Sequence, residues 1–306
     1  MTAQSIDGRA SAAALKEQVA AEVVQLREAG LHAGLATVLV GADYGSVQYE
    51  RRLRRVSGQL GVAYRHIFLA AEATQDALLR VVEGLNADPS VNGILVLRPL
   101  PPHISESEVF QALDPTKDIE SVHPFNAGLL ALGTPRFVPS TPAAVFHLLD
   151  GWLDSVGEDR TAFYRGATIA VVGRSNNVGK PVASLGYNRQ AVVLSCDEWA
   201  SYTGRLAELT RRADVLVVAA GVAGLITAEH VKDGAIVLDV GINASTDDKT
   251  GDVHMVGDVD FASVSPKARA LTPVPGGVGP VTDVWLMRNT VAAAAMAAGI
   301  PTPEAE

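Results

Sequence analysis

The stretch ATIAVVGRSNNVGKPVASLGYNRQAVVLSCD, residues 167–197, decides the fold of this chain. It opens with an apolar run rich in β-branched residues, 168–172, turns sharply at Gly173 and then starts a helix. A second apolar run, 191–194, follows, so the order is strand, tight turn, helix, strand. This is the first βαβ unit of a dinucleotide-binding fold, in which free N–H groups at the helix start hold a pyrophosphate. Ser175 stands where a second glycine is usual, so a βαβ turn without a ligand remains the alternative.

Length and composition indicate the class of protein. A chain of 306 residues allows roughly two domains, and its 48% apolar and 19% charged residues are typical of a folded protein with a large core. The net charge of −9 argues against a nucleic-acid or membrane-surface protein. The single cysteine, Cys196, fits a reducing compartment. With no signal peptide and no unbroken apolar span, the sequence predicts a cytoplasmic protein with no membrane partner.

Strand patterns alternate with helical patterns along the chain, which predicts an α/β fold with parallel sheets. The predicted strands are 35–40, 66–69, 93–97, 168–172, 191–194, 215–221 and 235–241. The predicted helices are 11–29, 46–61, 75–86, 105–113, 141–153 and 282–298, with a hairpin at 251–257. The stretch 271–280 is too rich in Gly and Pro for a regular element and is predicted to be a shaped loop.

Several further motifs stand at fixed places along the chain. In the C-terminal half they are GRSNNVGKP (173–181), ADVLVVAAG (213–221), GAIVLDVGIN (234–243), VGDVDF (256–261) and TPVPGGVGPVT (272–282). In the N-terminal half they are LATVLVG (35–41), GILVLRPLP (93–101), KDIESVHPFNAG (117–128) and STPAAVFHLL (140–149). In their order and spacing they resemble the methylenetetrahydrofolate dehydrogenase/cyclohydrolase family, the FolD family, over nearly the whole chain.

The resemblance implies two α/β domains with a cleft between them. Residues 1–145 and 282–306 would form a folate-site domain, and residues 146–281 a Rossmann-type NAD(P)-binding domain. Members of the family are usually homodimers that act on small molecules. They oxidise 5,10-methylenetetrahydrofolate by hydride transfer to NAD or NADP, and most then hydrolyse the methenyl product to 10-formyltetrahydrofolate.

The resemblance also places the site residues. The expected catalytic residues are Tyr49 and Glu120. The expected residues around the tetrahydrofolate derivative are Tyr49, Leu53, Leu97, Glu120, Pro273, Gly276, Gly277 and Pro280. The expected cofactor-binding residues are Thr141, Gly173, Arg174, Ser175, Val178, Asp197, Ala220, Gly221, Gly241, Ile242, Asn243 and Thr282. No cluster of Cys, His and Asp has metal-ligand spacing, so no metal is predicted.

Three departures from the family pattern affect the folate site. The family's lysine, four residues after Tyr49, is Leu53 here, and the glutamine that holds that lysine is Leu97. The family's pterin-binding aspartate is Glu120, one methylene longer. Because leucine can neither activate water nor move a proton, the sequence predicts that cyclohydrolase activity is lost. The alternative is that Arg52 or Arg54 replaces the lysine.

The cofactor preference rests on two residues that indicate opposite outcomes. Asp197 follows the second Rossmann strand at about the 20-residue spacing at which an acid binds the ribose 2′-OH of NAD. Arg174 resembles the family's phosphate-binding arginine, which favours NADP. The sequence leaves both cofactors open and weights the prediction towards NAD.

Three functions are compatible with this sequence. The first is a methylenetetrahydrofolate dehydrogenase, because hydride transfer depends mainly on orienting the two reactants. The second is a transferase of specialised metabolism that hands the one-carbon unit, as methyl or hydroxymethyl, to a third substrate. The third is a catalytically silent folate-binding protein.

Overall fold

The computed structural model of the chain describes residues 2–246 and 252–301. The strands are β1 (Gln4–Ser5), β2 (Gly34–Val40), β3 (Ala63–Leu69), β4 (Gly93–Val96), β5 (Thr168–Val172), β6 (Val192–Cys196), β7 (Val215–Val218), β8 (Ile236–Asp239), β9 (Asn243–Thr246), β10 (Val253–Val256) and β11 (Ala270–Leu271). The helices are α1 (Gly8–Glu28), α2 (Tyr44–Leu60), α3 (Gln75–Ala87), α4 (Glu106–Gln111), α5 (Pro124–Ala131), α6 (Ser140–Ser155), α7 (Arg160–Gly166), α8 (Gly179–Asn188), α9 (Glu198–Tyr202), α10 (Leu206–Thr210), α11 (Phe261–Val264) and α12 (Val278–Ala297), with a 3₁₀ turn at Ala228–His230. None of these helices has the length and hydropathy needed to cross a membrane.

The first compact unit contains the chain up to Ala13 and Thr141–Thr282, and we call it the nucleotide unit. Its six-stranded parallel sheet has the order β1-β11-β8-β7-β5-β6. The residues of β7 and β8 are all buried, which explains why both read as apolar runs apart from Asp239 at the end of β8. From β5 the chain crosses to β6 on one side and then to β7 on the other. That reversal is the point where doubly wound sheets bind their ligands, outside the carboxyl ends of the strands.

The second compact unit contains Ala14–Ser140 and the chain from Asp283 onward, and we call it the folate unit. Its parallel sheet has the order β3-β2-β4. Every residue of β2 is buried. Helix α2 begins at Tyr44 because the Asp43 carboxylate accepts a hydrogen bond from Ser46 N at 2.9 Å. It ends at Gly61, whose φ of 71° is the left-handed conformation that glycine adopts without strain.

The predicted domain boundaries need correction at their first segment. Residues up to Ala13 were predicted to lie in the folate-site domain, but β1 pairs with β11 inside the sheet of the nucleotide unit. A strand of two residues is too short to show a periodic pattern, so its partner is set by tertiary pairing alone. The next boundary, between the folate unit and the main part of the nucleotide unit, falls at Thr141 and not at residue 146 as predicted.

Two other predicted elements differ from the structure. Helix α12 begins at Val278, four residues before the predicted start at Thr282, because Pro280 lies in the first turn, where a missing N–H costs nothing. The predicted hairpin at 251–257 is formed by antiparallel pairing of β9 with β10, and its Gly251 lies outside the described residues.

Candidate functional site

The phenol of Tyr49 lies on α2 near two carboxylates of the folate unit. Burial raises the pKa of Tyr49 well above its ordinary value of 10.0, and the charges of Asp283 and Glu120 raise it further. The phenol is therefore a neutral hydrogen-bond donor across the physiological range. The guanidinium carbon of Arg52 lies 5.1 Å from the centre of the Tyr49 ring, a cation–π distance.

The carboxyl group of Glu120 is the titratable group best suited to proton transfer here. Burial raises the pKa of Glu120 from 4.5 to about 7, and the charge of Asp118 acts in the same direction. Hydrogen bonding to Ser140 and the positive charge of Arg98 oppose this rise, and Ser140 N donates to Glu120 Oε1 at 3.0 Å. A carboxyl group with a pKa near 7 is populated in both forms at neutral pH, so it can accept or donate a proton.

The loop that carries Glu120 is held by residues that the sequence interpretation missed. The Asp118 carboxylate accepts hydrogen bonds from Val122 N at 3.1 Å and from His123 N at 2.9 Å. Asn289, on α12, donates to the backbone carbonyl of Ile119 at 2.8 Å. The signal for Asp118 was its place in the KDIES motif, but Asn289 is distant in sequence and gave none. These bonds fix the backbone on both sides of Glu120.

Leu53 and Leu97 are packed in the interior. Their exposed fractions are 0% and 3%. Neither side chain brings a polar atom to the site. Leu53, moreover, has no exposed surface with which to contact a ligand. It occupies the inner face of α2 with the other buried residues of that helix, so the expected ligand contact is corrected to a packing role.

The two candidate replacements for the lysine have different partners. Arg54 Nη2 lies 2.7 Å from Glu50 Oε1, and its guanidinium stacks on Tyr64. Arg52 Nε lies 2.8 Å from Asp283 Oδ2, beside the Tyr49 ring. Only Arg52 therefore has its charge next to Tyr49.

The predicted cofactor residues of the nucleotide unit gather at one edge of its sheet. They follow the carboxyl ends of neighbouring parallel strands, where Rossmann folds bind dinucleotides. Gly173, Arg174 and Ser175 follow β5, Asp197 follows β6, Ala220 and Gly221 follow β7, and Gly241, Ile242 and Asn243 follow β8.

The turn after β5 has the shape that a dinucleotide requires, with one correction. Gly173 has a φ of 110°, and a Cβ there would lie 2.1 Å from Ala219 O, so only glycine fits. The N–H groups at the start of α8 are not all free as predicted. Ser175 Oγ accepts from Val178 N and Gly179 N, each at 3.3 Å, because a serine hydroxyl satisfies helix-start donors.

The two residues that indicated opposite cofactors form an ion pair with each other. Arg174 Nη1 donates to Asp197 Oδ2 at 2.8 Å, and Arg174 Nη2 donates to the backbone carbonyl of Ser195 at 2.6 Å. Both side chains lie at the edge of β6 where the adenosine ribose of a dinucleotide binds in this fold. The residues present therefore fit a dinucleotide, NAD or NADP, at this edge.

A buried carboxylate, Asp258, organises the loops after β7 and β8. Its Oδ2 accepts from Ala220 N at 2.6 Å and Gly221 N at 2.8 Å, while its Oδ1 accepts from Asn243 Nδ2 at 2.8 Å. Asp258 is fully buried, and a Cβ at Gly241 would lie 2.1 Å from its Cγ. The sequence interpretation quoted the VGDVDF motif but gave this acid no role.

The Gly- and Pro-rich loop lies in the nucleotide unit. Gly276 has a φ of 115°, and a Cβ at Gly277 would lie 2.7 Å from Pro273 O, so this glycine is required by the loop's own packing. Pro273 and Pro280 are partly exposed. Thr282 is buried, with its hydroxyl bonded to the Val278 carbonyl at 3.2 Å.

Thr141 lies in the first turn of α6, and it also belongs to the nucleotide unit. Tyr49, Leu53, Leu97 and Glu120 belong to the folate unit. The predicted site residues therefore fall into two groups, one in each compact unit.

The parallel sheet, the glycine turn after β5 and the acid after β6 define a two-unit α/β protein with a Rossmann-type nucleotide site. Residues 139–298 match the family described as tetrahydrofolate dehydrogenase/cyclohydrolase, NAD(P)-binding domain, and residues 6–120 match its catalytic domain. The chain belongs to the tetrahydrofolate dehydrogenase/cyclohydrolase family. It is a folate-dependent one-carbon enzyme that uses NAD or NADP.

Individual relatives agree with this assignment over almost their whole length. Bifunctional protein FolD 3 of Rubrobacter xylanophilus is 59% identical over 96% of this chain and 92% of its own. The crystal structure of the bifunctional enzyme FolD of Campylobacter jejuni is 37% identical, with a TM-score of 0.87 over 95% of this chain and 98% of its own. The Trypanosoma brucei enzyme, complexed with NADP and an inhibitor, is 35% identical, with a TM-score of 0.88 over 97% of this chain and 99% of its own.

Proposed function

We propose that this chain oxidises 5,10-methylenetetrahydrofolate by hydride transfer to NAD(P) and has lost the cyclohydrolase step. The observation that carries the proposal is the composition of the folate unit near Tyr49. A phenol and a titratable carboxyl group, Glu120, are retained there, while the two positions of the lysine and glutamine hold buried leucines.

The retained groups suffice to bind and orient a reduced folate. The edge of a pterin ring presents a row of donors, and the Glu120 carboxylate can accept two of them. The Tyr49 ring offers a flat apolar face to the pterin or aminobenzoate ring. NAD(P) accepts the hydride when it is bound, and the task of these side chains is to hold the one-carbon unit in place.

The lysine and glutamine that the family pattern places at positions 53 and 97 for hydrolysis of the methenyl product are missing, and Glu120, the remaining titratable group, is engaged by the pterin edge in this proposal. Water must lose a proton as it attacks, and a ring nitrogen must gain one as the product opens. Leucine does neither, and an arginine side chain is a poor replacement for a general base because a guanidinium keeps its proton. The relatives named bifunctional favour the opposite outcome, so activity has to be measured on this chain itself.

NAD is the preferred cofactor in this proposal. Asp197 accepts the ribose 2′-OH, and a 2′-phosphate in the same place would be repelled by the carboxylate. Arg174 is held by Asp197 and by the Ser195 carbonyl, so its charge is already neutralised. We also propose that the protein is a homodimer, as the family resemblance implies, and that it is cytoplasmic, as the sequence predicts.

Titration calorimetry with tetrahydrofolate tests the folate site. We expect the wild type to bind, and Glu120→Ala to weaken binding by about 1–3 kcal/mol, because ligand donors then lose their partner. The matched control is Glu72→Ala, which removes an exposed carboxylate from a loop of the same unit. Binding that is equal in wild type and Glu120→Ala contradicts the role of Glu120.

A turnover assay separates the dehydrogenase from the other two functions. Methylenetetrahydrofolate and NAD alone should yield reduced cofactor. The transferase alternative requires a third substrate before the one-carbon unit moves, and a silent folate-binding protein yields no reduced cofactor under any condition.

A further inference from the structure

The ion pair between Arg52 and Asp283 lies beside Tyr49; Arg52 was an alternative for the missing lysine, and Asp283 was given no role in the site. Arg52 Nε lies 2.8 Å from Asp283 Oδ2, and the Arg52 guanidinium carbon lies 5.1 Å from the Tyr49 ring centre. Arg52 is on α2 and Asp283 is on α12, both within the folate unit. The pair thus brings a second helix to the side of α2 that carries Tyr49.

Helix geometry explains why Arg52 reaches the Tyr49 ring. Residues three or four apart on a helix are neighbours on its surface. The family resemblance places a lysine four residues after the tyrosine, whereas Arg52 is three residues after Tyr49. Both positions are surface neighbours of Tyr49, although they point about 100° apart. In this chain, the position four residues after Tyr49, Leu53, is turned into the core instead.

Asp283 is buried, and the cost of burying its charge is offset by a positively charged partner. Its exposed fraction is 5%, and its Oδ1 has no hydrogen-bond partner among the described residues. Burial raises the pKa of Asp283 to about 6, while the charges of Arg52, Arg55 and Lys16 oppose the rise. An isolated buried carboxylate is costly, so the contact with Arg52 is what lets it remain ionised.

Arg52 retains donors for a ligand. Its side chain is 40% exposed, and its contact with Asp283 is made through Nε. Nε is buried and has no hydrogen bond of good geometry despite its 2.8 Å contact, so the link to Asp283 is electrostatic. A guanidinium that is held beside Tyr49 by charge and remains 40% exposed is suited to donate to an acceptor oxygen.

We propose that Arg52 is a folate-binding residue of this chain and that Asp283 is the positioning residue that holds its guanidinium beside Tyr49. This inference rests on the proposed function of the site. Arg52 donates to an acceptor oxygen of the reduced folate and restores the positive charge that a lysine at position 53 would supply. Because arginine keeps its proton, it restores binding without restoring proton transfer.

Steady-state kinetics of Arg52→Gln, Asp283→Asn and the double variant test the proposal. Arg51→Gln is the matched control, because it removes an exposed arginine from the same helix. We expect Arg52→Gln to raise KM for methylenetetrahydrofolate about tenfold, the effect of losing a charged hydrogen bond, with KM for NAD unchanged. Asp283→Asn should raise the same KM by less. The double variant should match Arg52→Gln, since Asp283 acts through Arg52.

Two further measurements keep the proposal open to refutation. Arg52→Lys should recover part of the lost affinity, because it returns the charge without the fork of donors. Calorimetric titration with tetrahydrofolate reads the same affinities without turnover, so an inactive wild type that still binds folate refutes the proposed dehydrogenase but not Arg52. Unchanged folate affinity in Arg52→Gln, additive effects of the two substitutions, or an equal rise in the KM for NAD overturns the inference.

Discussion

Replacing Glu120 by glutamine should make the protein less sensitive to alkaline pH. The folded-state pKa of Glu120 is about 7 against an ordinary value of 4.5, so the fold binds this proton more tightly than the unfolded chain does. The stability contributed by the protonated form is complete below pH 4.5 and is lost as the pH rises through about 7. One pKa unit corresponds to about 1.4 kcal/mol, so ionised Glu120 costs about 2.5 kcal/mol more at pH 8 than at pH 5.

Urea unfolding at pH 5 and pH 8 measures this cost. The free-energy difference between Glu120→Gln and wild type should shift by about 2.5 kcal/mol in favour of the variant on going to pH 8. Asp239 and Asp283 have raised pKa values too, but both proteins share them, so their contributions cancel. Glu72→Gln, an exposed control, should show no such shift. The same variant-to-wild-type difference at both pH values would refute a Glu120 carboxyl group that titrates near neutral pH in the folded protein.

Two substitutions in the nucleotide unit have equally definite outcomes. Asp197→Ser should narrow or reverse the preference for NAD(H) over NADP(H), because it removes the ribose acceptor and frees Arg174 for a 2′-phosphate. Tighter binding of NADP(H) than of NAD(H) by the wild type would show that Arg174 determines the preference. Gly173→Ala should lower the free energy of unfolding by about 1–3 kcal/mol in urea, because the added methyl group would clash with Ala219 O and residue 173 has a positive φ. It should also weaken dinucleotide binding. Its control, Gly84→Ala in α3, meets no atom within 4 Å and should be neutral or stabilising; equal effects of the two would contradict the role of the turn.

The elements that the sequence predicted well are those whose own residues determine them. Strand β5 and the turn at Gly173 follow from a buried apolar run and a backbone shape that excludes a side chain. Strands β7 and β8 follow from runs that are buried on both faces. Local pattern was sufficient there, because burial and backbone sterics act within a few residues of chain.

The features that the sequence did not predict depend on contacts between residues that are distant along the chain. Strand β1 has no pattern of its own and exists through pairing with β11. The start of α12 was hidden by Pro280, which reads as a helix breaker unless its place in the first turn is known. The ion pair of Arg52 also gave no local signal, because its partner Asp283 lies more than two hundred residues later.

The central claim is that oxidation and hydrolysis have been separated in this chain, and one time course tests it. Purified protein is mixed with methylenetetrahydrofolate and NAD, and reduced cofactor and methenyltetrahydrofolate are followed together. We expect the two to form in equal amounts, with the methenyl product then decaying no faster than in buffer, and Leu53→Lys with Leu97→Gln to accelerate that decay. Enzyme-dependent conversion of the methenyl product to 10-formyltetrahydrofolate by the wild type would contradict the account.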